Sequence, residues 1–201
     1  MTNITTRGLK VGINRKSPFK EMTLPMDFKW ADETEVSADN AEDYNEVLSY
    51  VLEHEKTPVS FISLSSLNTA FRFSENNPVL FSQVKNIIWS NDGIEPLEGF
   101  NYELDTLSAL KMMEKDTPLK VVGYYFSAFY DSLLLQKIGE INTPYAKKTA
   151  ELFDSQKEHD FIFGLVDDMI PVYLHFPELF KCDSLGNISS VSYTHLTLPT
   201  N

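Results

Sequence analysis

From Ala41 onward the chain falls into alternating apolar patterns. Tyr44, Val47, Leu48, Val51 and Leu52 recur at helical spacing on one face, while Glu42, Asp43, Glu46 and Glu53 fall largely elsewhere. Acidic residues open this helix, where its dipole favours them, and Thr57-Pro58 closes it. Val59 to Leu64 then reads as a short strand. A second helix runs from about Leu67 to Phe73 until Asn76-Asn77-Pro78 breaks it, and Val84 to Trp89 is a second strand. Asn91-Asp92-Gly93 turns the chain. Asp105 caps a helix carrying Leu107, Leu110 and Met113 on one side, and after Thr117-Pro118 the run Leu119 to Tyr125 is a third strand. Ser127 to Ile138 has a helical pattern. Thr143-Pro144 starts another helix reaching about Phe153, and Phe161 to Leu179 reads as a mostly buried helix. Residues 1–40 mix polar residues with short apolar pieces such as Leu9–Val11, and hold loops and at most one strand.

Strands that alternate with helices at short spacing imply parallel pairing through right-handed crossovers. The expected fold is α/β, an open and mostly parallel sheet with helices on both faces. Ligands in such sheets bind beyond the carboxyl ends of the strands. Here those ends are Leu64-Ser65-Ser66, Trp89-Ser90-Asn91 and Tyr124-Tyr125-Phe126.

Composition narrows the chemistry. The chain has 201 residues, enough for one domain with a real core. Seventeen basic residues against 29 acidic ones give a net charge of −12, which argues against a nucleic-acid partner. No apolar run approaches a membrane span, so no membrane partner is expected. Met1 to Lys10 lacks a secretory apolar core, and the lone Cys182 excludes an internal disulfide and fits a reducing compartment; the expected location is cytoplasmic.

Several segments, in order, resemble nucleoside hydrolases of the inosine/uridine-preferring type. Val59 to Thr69 resembles the family's strand followed by Gly-Pro-Leu-Thr-Asn, with Ser65 and Ser66 at the small turn positions and the final pair inverted. Val84 to Asn91 resembles the strand ending in Met-Gly-Gly, with Trp89-Ser90-Asn91 in place of that ending. Phe100, Asn101 and Asp105 keep the spacing of the family's Glu-Phe-Asn and the Asp that starts the next helix. Leu119 to Tyr125 resembles the strand that follows, and Asn142 to Ala146 the start of a later helix. Asp167, Tyr173 and Pro177 match the register of a late Asp-Pro-Leu-Ala segment closing in Pro-Glu-Leu-Phe. The resemblance is clearest over 41–180 and implies a Rossmann-like core.

The resemblance implies hydrolysis of the N-glycosidic bond of a ribonucleoside, in nucleoside salvage, by a water bound to Ca²⁺. A hard cation takes carboxylates and carbonyls. Asp167 matches the family's late metal-binding Asp, and the Leu64 carbonyl its backbone ligand. Asn101 matches the residue that hydrogen-bonds ribose, and Phe100 its pocket neighbour. The family's Glu two residues before that Asn is Gly99 here; Glu98 substitutes only through a small bulge. The residue before the late Asp, a His in some members, is Val166. The Asp-x-Asp-x-x-x-Asp-Asp loop is missing, since Asp27, Asp32, Asp39 and Asp43 do not reproduce it. The chain is therefore read as an N-terminally incomplete domain spanning 1–190, inactive as it stands. Val191 to Thr200 resembles a translated sequencing adapter, so 191–201 is read as a non-native tail and His195 is no candidate.

Plainer readings stand beside these. Asp167-Asp168 also reads as an exposed pair or a helix cap, Asn101 as a turn residue, and Trp89 as core. His54 and His159 read as solvated, and Ser65-Ser66 lacks the His and Gly-x-Ser-x-Gly elbow of a nucleophile. Two functional readings stay open. The chain belongs to an active nucleoside hydrolase, or to a divergent relative that binds a nucleoside, sugar or protein without catalysis. A small-molecule nucleoside is the expected ligand, and a homo-oligomer is left open.

Overall fold

Short β-branched runs and capped amphipathic segments build the architecture in turn. The computed structural model describes residues 10–15, 41–91, 97–123, 132–155, 167 and 169–193. Strand β1 (Gly12–Ile13) pairs in parallel with β2 (Glu42–Asp43), and β2 leads into helix α1 (Tyr44–His54). The Asp43 carboxylate accepts from Asn45 N at 2.9 Å, which caps α1. Then follow β3 (Val59–Ser63), α2 (Asn68–Asn76), α3 (Pro78–Phe81) and β4 (Val84–Ser90). Pro78 does more than break α2: it is the first residue of α3, where a missing N–H is no loss.

Next come α4 (Phe100–Leu104), α5 (Thr106–Met113), β5 (Leu119–Gly123), α6 (Ser132–Glu140) and α7 (Pro144–Ser155). Thr143 Oγ1 accepts from Ala146 N at 3.2 Å, so the expected cap of α7 forms. Helix α8 (Met169–His175) is followed by a 3-10 turn and the hairpin β6 (Phe180–Leu185) and β7 (Ile188–Tyr193). The long apolar helix expected over Phe161–Leu179 is described only as α8 and that turn; its residues 161–166 and 168 lie outside the described residues, as do 124–131.

The main sheet has the order β3-β4-β5-β7-β6. Four strands run parallel and β6 closes the edge antiparallel. Helices cover both faces, as the periodicity predicts. On one face α1, α2 and α5 pack Leu52, Leu67, Phe73 and Met112 against Ile87, Trp89, Leu119 and Val121. On the other, Met169 and Ile170 of α8 meet Ile88, Val122, Phe180 and Val191. Each fully buried aliphatic side chain contributes roughly 1.5–3 kcal/mol to that packing.

Two expectations change. Helix α5 buries Ser108, Ala109 and Met112, whereas Leu107 is 65% and Leu110 39% exposed. The Asp105 cap fixes the phase of α5 and turns the small side chains inward, where α2 packs closely. Secondly, β7 runs across the boundary drawn at residue 190. Val191 is buried between Val122 and Cys182, Ser192 pairs with Gly123 and Lys181, and Tyr193 pairs with Phe180 of β6. The β-branched and aromatic alternation of Val191-Ser192-Tyr193 suits a strand flanked on both sides. Cys182 itself is exposed on β6.

Candidate functional site

The carboxyl ends of β3, β4 and β5 come together, because Ser63 pairs with Trp89 and Ser90 with Val122. The turn after β3 is fastened from two sides. Ser63 Oγ donates to the Ser65 carbonyl at 3.1 Å, and Trp89 Nε1 donates to the same oxygen at 2.9 Å. Trp89 is thus a core residue with its indole N–H satisfied, and no free stacking surface. Leu64 sits between these anchors and is 50% exposed.

At the end of β4, two asparagines hold the next segment. Asn91 is fully buried and acts as a hub. Its backbone N–H donates to the Val122 carbonyl at 3.1 Å, its Nδ2 donates to the Glu98 carbonyl, and its Oδ1 accepts from Tyr102 N at 3.2 Å. Asn101, in the first turn of α4, donates Nδ2 to the Ser90 carbonyl at 2.8 Å and is 9% exposed. Its Oδ1 takes no hydrogen bond among the described residues. Phe100 is 45% exposed and Glu98 lies on the surface. Gly99 between them has φ 102°, a conformation that L side chains rarely adopt. A side chain at Gly99 would strain the backbone in this arrangement.

A second polar cluster joins α2 to α5. Asp105 accepts from Ser108 N at 3.0 Å, from Ser108 Oγ at 2.6 Å and from Asn68 Nδ2 at 2.7 Å. Asn68 Oδ1 accepts in turn from Asn14 Nδ2 at 3.1 Å. Burial alone raises the Asp105 carboxyl, but the two Ser108 donors, the Asn68 amide and the nearby Arg72 charge outweigh it and hold it below its usual value. The sequence pattern carries only the cap at Asp105, because the partners of the cluster are distant in sequence. Asn68 is the inverted position of the Leu-Thr-Asn resemblance, and its amide reaches across to that cap.

Asp167 is exposed at the start of α8, where its carbonyl accepts from Ile170 N at 3.0 Å. The implied Ca²⁺ would draw on this carboxylate and on the Leu64 carbonyl. A cation of that kind takes about six to eight oxygens. Among the described residues no group of three or more His, Cys, Asp or Glu side chains gathers to hold a metal ion. Among the described residues, Asp167 and the Leu64 carbonyl alone fall short of such a set. His54 and His175 are exposed and turn Nδ1 toward the Tyr50 and Pro171 carbonyls; His159 and Val166 lie outside the described residues. No helix among the described residues is long and apolar enough to cross a membrane.

A mixed sheet covered on both faces, with polar side chains at the carboxyl ends of its strands, defines an open-sheet α/β protein. Solved structures narrow that class. The chain superposes on a purine-preferring ribonucleoside hydrolase from Gardnerella vaginalis with TM-score 0.58 and 11% identity, over 81% of this chain and 60% of that one. It matches the plant nucleoside hydrolase PpNRh1 with TM-score 0.60 and 14% identity, over 87% and 63% of the two chains. It also matches the effector protein XOO4466, with TM-score 0.58, 12% identity, and coverage of 79% and 60%. The chain therefore has a nucleoside-hydrolase-like fold and spans about three-fifths of the length of these structures. No family profile and no curated protein matches it.

Proposed function

We propose that this chain is the ribose-binding part of a ribonucleoside N-glycosyl hydrolase, and that by itself it binds without turning over. The observation that carries this reading is the placement of Asn101. It sits at the carboxyl end of β4, with its amide anchored on the Ser90 carbonyl and its Oδ1 left to accept from a sugar hydroxyl. Phe100 and Glu98 lie at the surface beside it, where the resemblance places substrate contacts. Asp167 and the Leu64 carbonyl are the oxygens this chain would bring to a cation. Inosine/uridine preference and a salvage role follow from the resemblance alone.

A second reading, a relative that binds nucleoside or sugar without catalysis, is favoured by one observation. Ser90 and the buried Asn91 stand where the resemblance places a glycine pair, so side chains fill the strand end. Ribose release from inosine, uridine and p-nitrophenyl riboside, measured with Ca²⁺ on this chain joined to an upstream Asp-rich segment, separates the two. Release that is lost on Asn101→Ala and Asp167→Ala supports the hydrolase. Intact folding and ribose binding without release would establish the non-catalytic relative, and absence of both sinks the site.

A further inference from the structure

Between α2 and α5 lies a cavity of about 410 Å³ whose walls include Asn68, Phe71, Arg72, Asp105, Leu107 and Ser108. A second hollow of about 500 Å³ continues it past Phe71 and Leu107. These volumes are in the range of small-molecule sites. Most of the polar wall is already engaged. Asn68 and Ser108 both donate to Asp105, and Glu75 is paired with Lys115 at 2.7 Å. Arg72 differs: it makes no hydrogen bond or ion pair among the described residues, and its Nε is buried without an acceptor. A buried guanidinium N–H with nothing to donate to is destabilising. Its planar fork of donors matches a carboxylate. Beside it Phe71 and the 65%-exposed Leu107 supply an apolar floor.

We propose that this cavity binds a small monocarboxylate, its anionic group on the Arg72 guanidinium and its apolar body against Phe71 and Leu107. Asp105, which already feels the Arg72 charge, and Glu75 place negative charge on the same wall; this opposes any anion, and a doubly charged phosphate more than a single carboxylate. The site is independent of the ribose contact at Asn101 and does not rest on the proposed hydrolase.

The chain has three arginines, Arg7, Arg15 and Arg72, so its Nε–Hε resonances are assignable by nitrogen-15 NMR of the full chain and of Arg72→Gln. Titration with 3-phenylpropionate is expected to shift the Arg72 resonance saturably, with a dissociation constant on the order of 1 mM. Leu107→Ser, at an exposed position, should weaken binding about fivefold while leaving the fold intact. Acetate should bind more weakly than 3-phenylpropionate, and inorganic phosphate more weakly still. An Arg72 resonance that does not move, or that moves equally for acetate and for the Leu107→Ser chain, overturns the proposal. So does tighter binding of phosphate.

Discussion

Replacing Asp105 with Ala removes three hydrogen bonds at once, and its cost can be worked from their geometry. The bond from Ser108 N at 3.0 Å is the cap of α5, and losing a cap costs about 1 kcal/mol. The bonds from Ser108 Oγ and Asn68 Nδ2, at 2.6 and 2.7 Å, are short and made to a charged acceptor, a type contributing about 1.5–3 kcal/mol. Asn68 is 4% exposed, so its amide is left buried with a weaker alternative. Asp105 itself is half-buried, and water reaching the vacated space discounts the sum to about 2–4 kcal/mol. For a domain of this size that corresponds to a fall in Tm of roughly 5–12 °C by circular dichroism.

Asp105→Asn is the control. Asn caps helices about as well as Asp and still offers an oxygen to Asn68, so it should cost only about 1 kcal/mol. The pH dependence gives a second arm. A carboxyl held below its usual value in the folded state binds fewer protons there than in the unfolded chain. Its contribution is therefore full above the unfolded value of about 4 and is lost as pH falls through the lower folded value. Asp105→Asn should flatten that acid limb. If Asp105→Ala stays within about 0.5 kcal/mol of the parent, or Asn is as damaging as Ala, the cluster does not latch α2 to α5 and the reasoning fails.

Other substitutions test the backbone and the sheet. Gly12→Ala places a Cβ 2.8 Å from Tyr44 Cα and 2.9 Å from Val47 Cγ2; the first clash is with backbone, so a loss of about 1–3 kcal/mol in urea unfolding is expected. Gly99→Ala puts a side chain at φ 102° and should cost about 1–2 kcal/mol, with Asn101-dependent ribose binding weakened alongside. Val191→Ala removes buried methyl groups between β5 and β6 and should cost about 2 kcal/mol; an unchanged midpoint would show that β7 does not carry the sheet.

The parallel sheet was legible because β3, β4 and β5 are short apolar runs bounded by Pro, Asn and Ser, and because the intervening helices keep one apolar face. The caps at Asp105 and Thr143 were legible for the same local reason. What escaped depends on contacts distant in sequence. Helix α4 has five residues and no side-chain cap, and it is held by Asn91 and the Ser90 carbonyl rather than by its own pattern. Asn91 read as a turn residue, since no periodicity reveals that its amide bridges to Glu98 and Tyr102. The β6–β7 hairpin did carry a signal, Gly186-Asn187 between two strand-length runs, with Gly186 at φ 60°. The second strand of that hairpin crosses into residues 191–193, within the segment that resembles adapter sequence. Strand propensity acts whatever the origin of those residues.

The end of β4 is where resemblance and structure diverge most, and it allows a final test. Asn91 is buried and satisfied at both ends of its amide, so it props α4 against β5. Ser90 is equally buried, yet its Oγ has no hydrogen-bond partner among the described residues. An unmade bond at such a hydroxyl costs about 1–3 kcal/mol, whereas its methyl counterpart costs nothing of that kind. Ser90→Ala should therefore raise stability by about 1 kcal/mol while preserving the Asn101 contact, which uses only the Ser90 carbonyl. If a sugar hydroxyl normally reaches this Oγ, the same substitution weakens ribose binding although the fold gains. A loss of stability instead would mean that the hydroxyl is already partnered, and the strand end would be a finished piece of core rather than part of a ligand site.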